Sequence, residues 1–221
     1  MRPSRTITLS MLLLLSLGAG AQGPRKPPTG APGAFDYYAL SMSWSPSFCA
    51  THTDPHQCAT GRQFGFVLHG LWPQYQQGYP QSCSRQRITP ALEKKYGPLF
   101  ASPKLIRHEW PTHGTCSGLT PQQYFDLTAK LKQGLVIPAD YRRPSAPVRV
   151  SSAAFAQAFM ASNPGLAEAS VLPFCSDGGR FLQEIHVCYS KSGQSQGCGA
   201  TEIKRSRSSC GQPSFLMESV N

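Results

Sequence analysis

The chain has 221 residues, with 21 basic against 11 acidic side chains, a formal charge of +10, and a composition 40% hydrophobic but only 14% charged. That balance excludes a disordered protein and predicts a packed core in one domain, or at most two small ones. Gly and Pro, 20 of each, predict a surface rich in loops; no Gly-X-Y period and no repeat of solenoid length is present.

In chain order, Arg2 and Arg5 precede the apolar run Thr8 to Leu17 and the small residues Ala19-Gly20-Ala21. This is the order of a secretory signal peptide, residues 1–21. The run is too short to span a bilayer and no other stretch is long enough, so no membrane association is expected after its removal. Cleavage leaves 19 basic against 11 acidic groups, or +8. Residues 22–34 are Pro/Gly-rich with little to bury and read as a disordered leader, with order beginning at Phe35. Tyr37 to Trp44 alternates Tyr38, Leu40, Met42 and Trp44 on one face, a strand. Phe64 to Leu68 is a short buried strand that delivers His69 into a glycine turn. Thr89-Pro90 starts a helix to Tyr96, and Thr120-Pro121 starts another to Gln133, ended by Gly134. Ser151 to Ala161 is a helix closed by Asn163-Pro164. Arg180 to Tyr189 is a strand with Phe181, Gln183, Ile185, Val187 and Tyr189 on one face, and Thr201 to Lys204 is expected to pair with it antiparallel. The basic run Lys204 to Arg207 reads as a solvated face. Helices and strands without a βαβ rhythm favour an α+β fold.

All eight cysteines lie in the mature part. In an exported chain an even number argues for four disulfides among 105 connectivities. Zinc is the rival there, but no Cys-x2-Cys pair exists. Neither Asn163 nor Asn221 sits in an N-glycosylation signal.

Three of the six histidines fall in two unusual stretches, Phe66-Val67-Leu68-His69-Gly70-Leu71-Trp72-Pro73 and Arg107-His108-Glu109-Trp110-Pro111-Thr112-His113-Gly114-Thr115-Cys116. Each histidine singly is a common core or capping side chain. Two histidines and a glutamate within six residues point instead to chemistry. A zincin needs its histidines at i and i+4; here they are five apart, about 140° around an ideal helix, and Pro111 is unwelcome there. Helical spacing places Glu109 beside His113 instead, where a carboxylate orients the ring and favours its charged form.

Together the two segments resemble the active-site segments of the ribonuclease T2 family, exported and acid-leaning endoribonucleases. The likeness extends over residues 35–210, including Tyr38-x-Leu40-x-x-x-Trp44-x-Pro46 and Glu184-Ile185-x-Val187-Cys188. It implies a single disulfide-stapled α+β domain, residues 35–221, with helices around a central antiparallel sheet. It implies the pairs Cys49–Cys58, Cys83–Cys116, Cys175–Cys210 and Cys188–Cys198. The second would fasten the His108 segment to the fold, a closure contributing ~3–4 kcal/mol in the chain-entropy model.

The same resemblance implies cleavage of single-stranded RNA through a 2′,3′-cyclic phosphate to 3′-phosphate products, with His113 as base, His69 as acid, and His108 and Glu109 on the phosphate. Trp72 is either a core residue against Pro73 or, as the family places it, part of the base pocket. Neither metal nor cofactor is implied, DNA is not expected to be cut because it lacks the 2′-OH, and a monomer, periplasmic or secreted, is expected. A binding protein with weak catalysis is the rival, disfavoured because His69, His108, Glu109 and His113 are all present. One departure stands out: Thr112 occupies the position where the family usually has Lys, with Arg107 as a candidate substitute. The positive charge would attract a polyanion.

Overall fold

The computed structural model describes residues 29–220. The signal peptide expected at 1–21 lies outside the described residues. So does part of the leader expected at 22–34, but its last residues are not loose. Thr29 and Gln81 exchange backbone and side-chain hydrogen bonds, and the Gly33 amide donates to Cys116 O at 2.9 Å. Order therefore begins before Phe35, because this segment borrows partners from the loop that Cys83–Cys116 holds.

Six strands form one sheet. β1 (Tyr37–Trp44) lies between β2 (Phe66–Gln74) and β5 (Phe181–Tyr189), antiparallel to both. β4 (Val171–Ser176) pairs with the other edge of β5. β3 (Val148–Val150) and β6 (Phe215–Met217) make a short antiparallel pair, joined to β5 by one parallel contact between Phe181 and Leu216. Eight helices among the described residues complete an α+β domain: α1 Ser45–Thr51, α2 Pro55–Cys58, α3 Pro90–Tyr96, α4 Pro103–Thr112, α5 Pro121–Gly134, α6 Ala139–Arg142, α7 Ser152–Ser162 and α8 Ala200–Ser209. α3, α5 and α7 start where the sequence predicts, at Thr89, Thr120 and Ser151, whose hydroxyls accept from the first-turn amides. The Thr120 cap is a full capping box with Gln123.

The core lies on one sheet face. Leu40, Met42 and Trp44 of β1 meet Trp110, Phe125, Phe155 and Phe159 from the helices. Burying each such side chain contributes about 1.5–3 kcal/mol. The other face carries a smaller cluster of Tyr37, Leu172, Phe174, Cys188 and Cys198, with Ile203 of α8 packed against it.

Two β-bulges decide what faces the site. Opposite β1, Ser41 pairs with Gly70 but Met42 pairs with Leu68, so His69 is the extra residue. The bulge breaks the period of two: Leu68 and Leu71, three apart, both enter the main core. β2 is thus longer than the strand expected at Phe64–Leu68, and it runs on through Gln74. His69 leaves the sheet at a bulge, not in a glycine turn. On β5 the pairing jumps from Phe174–Glu184 to Cys175–Leu182, leaving Gln183 as the extra residue. The expected face of Phe181, Gln183, Ile185, Val187 and Tyr189 is therefore corrected: Leu182 is fully buried in the core and Gln183 is exposed.

The strand expected at Thr201–Lys204 is a correction too: those residues belong to α8. Gly199 caps it, Glu202, Ile203 and Ser206 face the sheet, and the true partner of β5 is β4. The four disulfides are Cys49–Cys58, Cys83–Cys116, Cys175–Cys210 and Cys188–Cys198, the pairing the resemblance implied. The last two pin the strand ends to either side of α8.

Candidate active site

β2 and α4 bring the two histidine stretches together. Pro103 opens α4, and Pro111 inside it removes one backbone donor, so the helix stops at Thr112. His113 caps it at φ −114°, ψ −49°, and a 3-10 turn, Gly114–Cys116, leads to the disulfide with Cys83. Both glycines of the motifs are sterically required. A Cβ on Gly70 would overlap the Glu109 carboxylate, and one on Gly114 would run into the Trp110 ring.

Glu109 is fully buried. Its Oε2 accepts from Trp72 Nε1 at 2.8 Å, and its Oε1 lies 4.0 Å from His69 Nε2. Burial pushes its carboxyl up to about 7, against the opposing pull of His69 and the Trp72 N–H. Oε1 is buried without a hydrogen-bond partner among the described residues.

His69 sits between two carboxylates, with Nδ1 3.5 Å from Glu184 Oε2 on the side away from Glu109. Burial alone would lower its affinity for a proton; Glu184 and Glu109 outweigh burial and raise it. His113 has no such support. Its Nδ1 is buried without a partner, and burial, then His108 and His69, push it down to about 3. The carboxylate expected beside it is turned instead to Trp72 and His69, so the expectation that Glu109 favours the charged form of His113 is corrected. His108 is exposed at the mouth, and partial burial and His69 hold it below its usual range.

Trp72 is where these groups meet. Its ring stacks on His113 at 5.2 Å and meets His69 and His186 edge-on at 4.9 and 5.1 Å. It packs among histidines, so its ring orders the site. Nearby, Gln74 is buried, Tyr75 packs on the core and Tyr79 is 45% exposed.

A donor atom from each of His108, Glu109 and His113 lies within 4.8 Å of the others, close enough to converge on one small anion or ion. The helical-wheel argument that His108 and His113 face apart does not hold, because the helix ends between them. Arg107 does not fill the gap at Thr112: its Nε pairs with Glu93 of α3 at 2.5 Å. Beside His69 a cavity of about 340 Å³ opens, walled by the stacked Phe48 and His52 and by Ser43, Leu105 and Lys104.

The site holds partners that the sequence reading missed. Glu184 and His186 are separate from the motif segments, on the side of β5 away from the main core, and Glu202 and Arg205 of α8 continue the chain of charges behind them. Two ionisable residues two apart in a mainly apolar strand were the available signal.

A profile of the Ribonuclease T2 family matches residues 35–198. A ribonuclease of Aeromonas hydrophila is 41% identical over 97% of both chains. A probable ribonuclease of Haemophilus influenzae is 35% identical over 47% of this chain and 44% of its own. Among solved structures, an RNase-related protein from Calystegia sepium shares the fold, with TM-score 0.65 and 18% identity over 85% of this chain and 98% of its own.

Proposed function

The chain belongs to the ribonuclease T2 family, and from that premise we propose that it cleaves single-stranded RNA by transphosphorylation, with His113 as base and His69 as acid. The observation that carries this reading is the contrast between the two imidazoles. RNA supplies its own nucleophile, the 2′-OH; cleavage needs a group ready to take that proton and another ready to give one to the leaving 5′-oxygen. His113, pushed down to about 3, is neutral across the working range. His69, raised by the Glu184 carboxylate beside its Nδ1, is charged there. The 2′-OH proton passes to His113, the oxygen attacks phosphorus, and the proton on His69 Nε2 goes to the departing 5′-oxygen. The product is a 2′,3′-cyclic phosphate, which water opens to a 3′-phosphate with the two roles exchanged.

Glu109 supports the phosphate in its protonated form. Below about 7 it is a carboxylic acid whose Oε2 is engaged by Trp72, leaving Oε1 to donate to a phosphate oxygen as charge builds. His108 borders the same spot. The nucleotide on the leaving side has room in the cavity beside His69. No step needs a metal. Export to an oxidising compartment, periplasmic or extracellular, fits a chain whose eight cysteines are all paired.

Digestion of homopolymer RNA in excess EDTA tests this. The expected early products carry 2′,3′-cyclic ends that turn slowly into 3′-phosphates, with DNA uncut. EDTA-sensitive cleavage, or 5′-phosphate ends, contradicts it.

A further inference from the structure

Behind His69 a row of charges continues past Glu184 into α8, and the chemistry above uses none of the charges beyond Glu184. Glu184 Oε2 stands 3.5 Å from His69 Nδ1, an ion-pair contact at a nitrogen with no hydrogen bond among the described residues, and the Ser41 hydroxyl donates to the same oxygen at 3.1 Å. Glu184 Oε1 lies 3.2 Å from His186 Nε2, and His186 Nδ1 lies 2.5 Å from Glu202 Oε1. Glu202 Oε2 accepts from Arg205 Nη1 at 2.9 Å, one turn along α8. His186 and Glu202 are buried, and the Arg205 end reaches solvent. From surface to site the signs alternate: Arg205 positive, Glu202 negative, His186 positive, Glu184 negative, His69 positive.

Such a row is not explained by stability. Ions removed from water lose hydration that their mutual attraction rarely repays in full, and apolar side chains of similar size often do as well. The apolar cluster of Tyr37, Leu172 and Phe174 already lies on this face and offers that alternative. What an apolar replacement would not do is hold an imidazole in one orientation and one tautomer.

We propose that the buried chain Glu184–His186–Glu202 is a positioning device for His69, holding its ring by Nδ1 so that Nε2 is the nitrogen turned towards Glu109 and the substrate. Glu184 is the positioning residue. His186 in turn keeps Glu184 in place with two-sided support, and its edge against Trp72 ties the row to the indole that contacts His113. The sign of the effect on His69 follows from its neighbours. Glu184 and Glu109 favour its charged form, while His186 opposes it. His108 and His113 also bear on the same ring, and Asp54 and Lys104 stand across the cavity. Burial would lower His186, but Glu184 and Glu202 hold it up to about 9, so it is charged at neutral pH.

The inference rests on His69 acting as the acid, and two variants test it separately from that reading. Glu184→Gln keeps the shape and removes the charge. Its alkaline limb of kcat/KM moves down by roughly one pH unit, and kcat falls while KM stays within about twofold. His186→Gln removes the opposing positive charge, so its alkaline limb moves up. A merely structural role lowers the folded fraction in both variants and moves neither limb. If His69→Ala abolishes cleavage but the limbs of both Gln variants stay put, the positioning idea fails alone; if His69→Ala stays active, the acid assignment fails first. A variant that does not fold leaves the wild-type protein to decide. Nitrogen-15 NMR of neutral His69 is expected to show the proton on Nδ1, facing Glu184. A proton on Nε2 overturns the proposal.

Discussion

His69 and His113 are the same residue type, both touch the indole of Trp72, and they hold protons very differently. The strand side of the site, β2 and β5, surrounds its imidazole with carboxylates. The helix side, at the end of α4, buries its imidazole beside another histidine, and no carboxylate offsets that burial. Proton affinity is thus assigned by the backbone elements that carry each ring. The bulge at His69 brings it to Glu184, and at the end of the proline-shortened helix the one carboxylate of the motif bonds Trp72 rather than His113.

The comparison breaks most severely when either ring is removed. His69→Ala and His113→Ala are each expected to cost at least ~10²-fold in RNA cleavage, the scale of losing one acid or base, with folding nearly unchanged. His108→Ala is expected to cost less, since the proposed mechanism gives it no proton to transfer. Near-native turnover by either of the first two variants rejects the assignment.

Glu109 tests the border between the two sides. Gly70→Ala places a methyl where its carboxylate lies; a displacement near 1 Å is enough to cost roughly 10- to 100-fold in kcat. An unimpaired variant means that the carboxylate does not work from this position.

The pH profile sharpens the contrast. The proposed mechanism requires His113 deprotonated and His69 protonated. Activity is therefore lost on the acid side only as pH falls towards about 3, and on the alkaline side as pH rises through the raised value of His69 and through about 7, where Glu109 ionises. An acid-leaning bell is expected. A profile flat from pH 4 to 9 contradicts the pair.

The smallest expected effect is at Thr112. It is half-buried, and its carbonyl accepts from the Ser82 amide. With Arg107 paired to Glu93, no cation from this segment replaces the missing Lys. Thr112→Lys is expected to raise the rate about two- to fivefold at low salt, an effect that screening reduces. An unchanged rate means that the charge is not limiting.

Much of this architecture was legible from local rules. β1 follows from its alternation, α3, α5 and α7 from hydroxyl caps, and the two motif segments named the residues that meet. The bulges were not legible, because an extra residue is visible only once two strands are paired. That is why simple alternation puts Gln183 on one face with Ile185 and Val187, where the paired strand buries Leu182 instead. Thr201 to Lys204 reads as a strand for a related reason: the sequence next to β5 does not mark Val171–Ser176 as its partner. The orientation of Glu109 escaped a helical wheel because it depends on Trp72, 37 residues away.

The central claim is that one site holds a charged and a neutral imidazole side by side. Titrating the ring protons of His69 and His113 by NMR in the intact protein, each identified by its Ala variant, tests it most directly. The account predicts that His69 titrates above the ordinary histidine value and His113 far below it, near 3. Equal values, or His113 the more basic of the two, would contradict it.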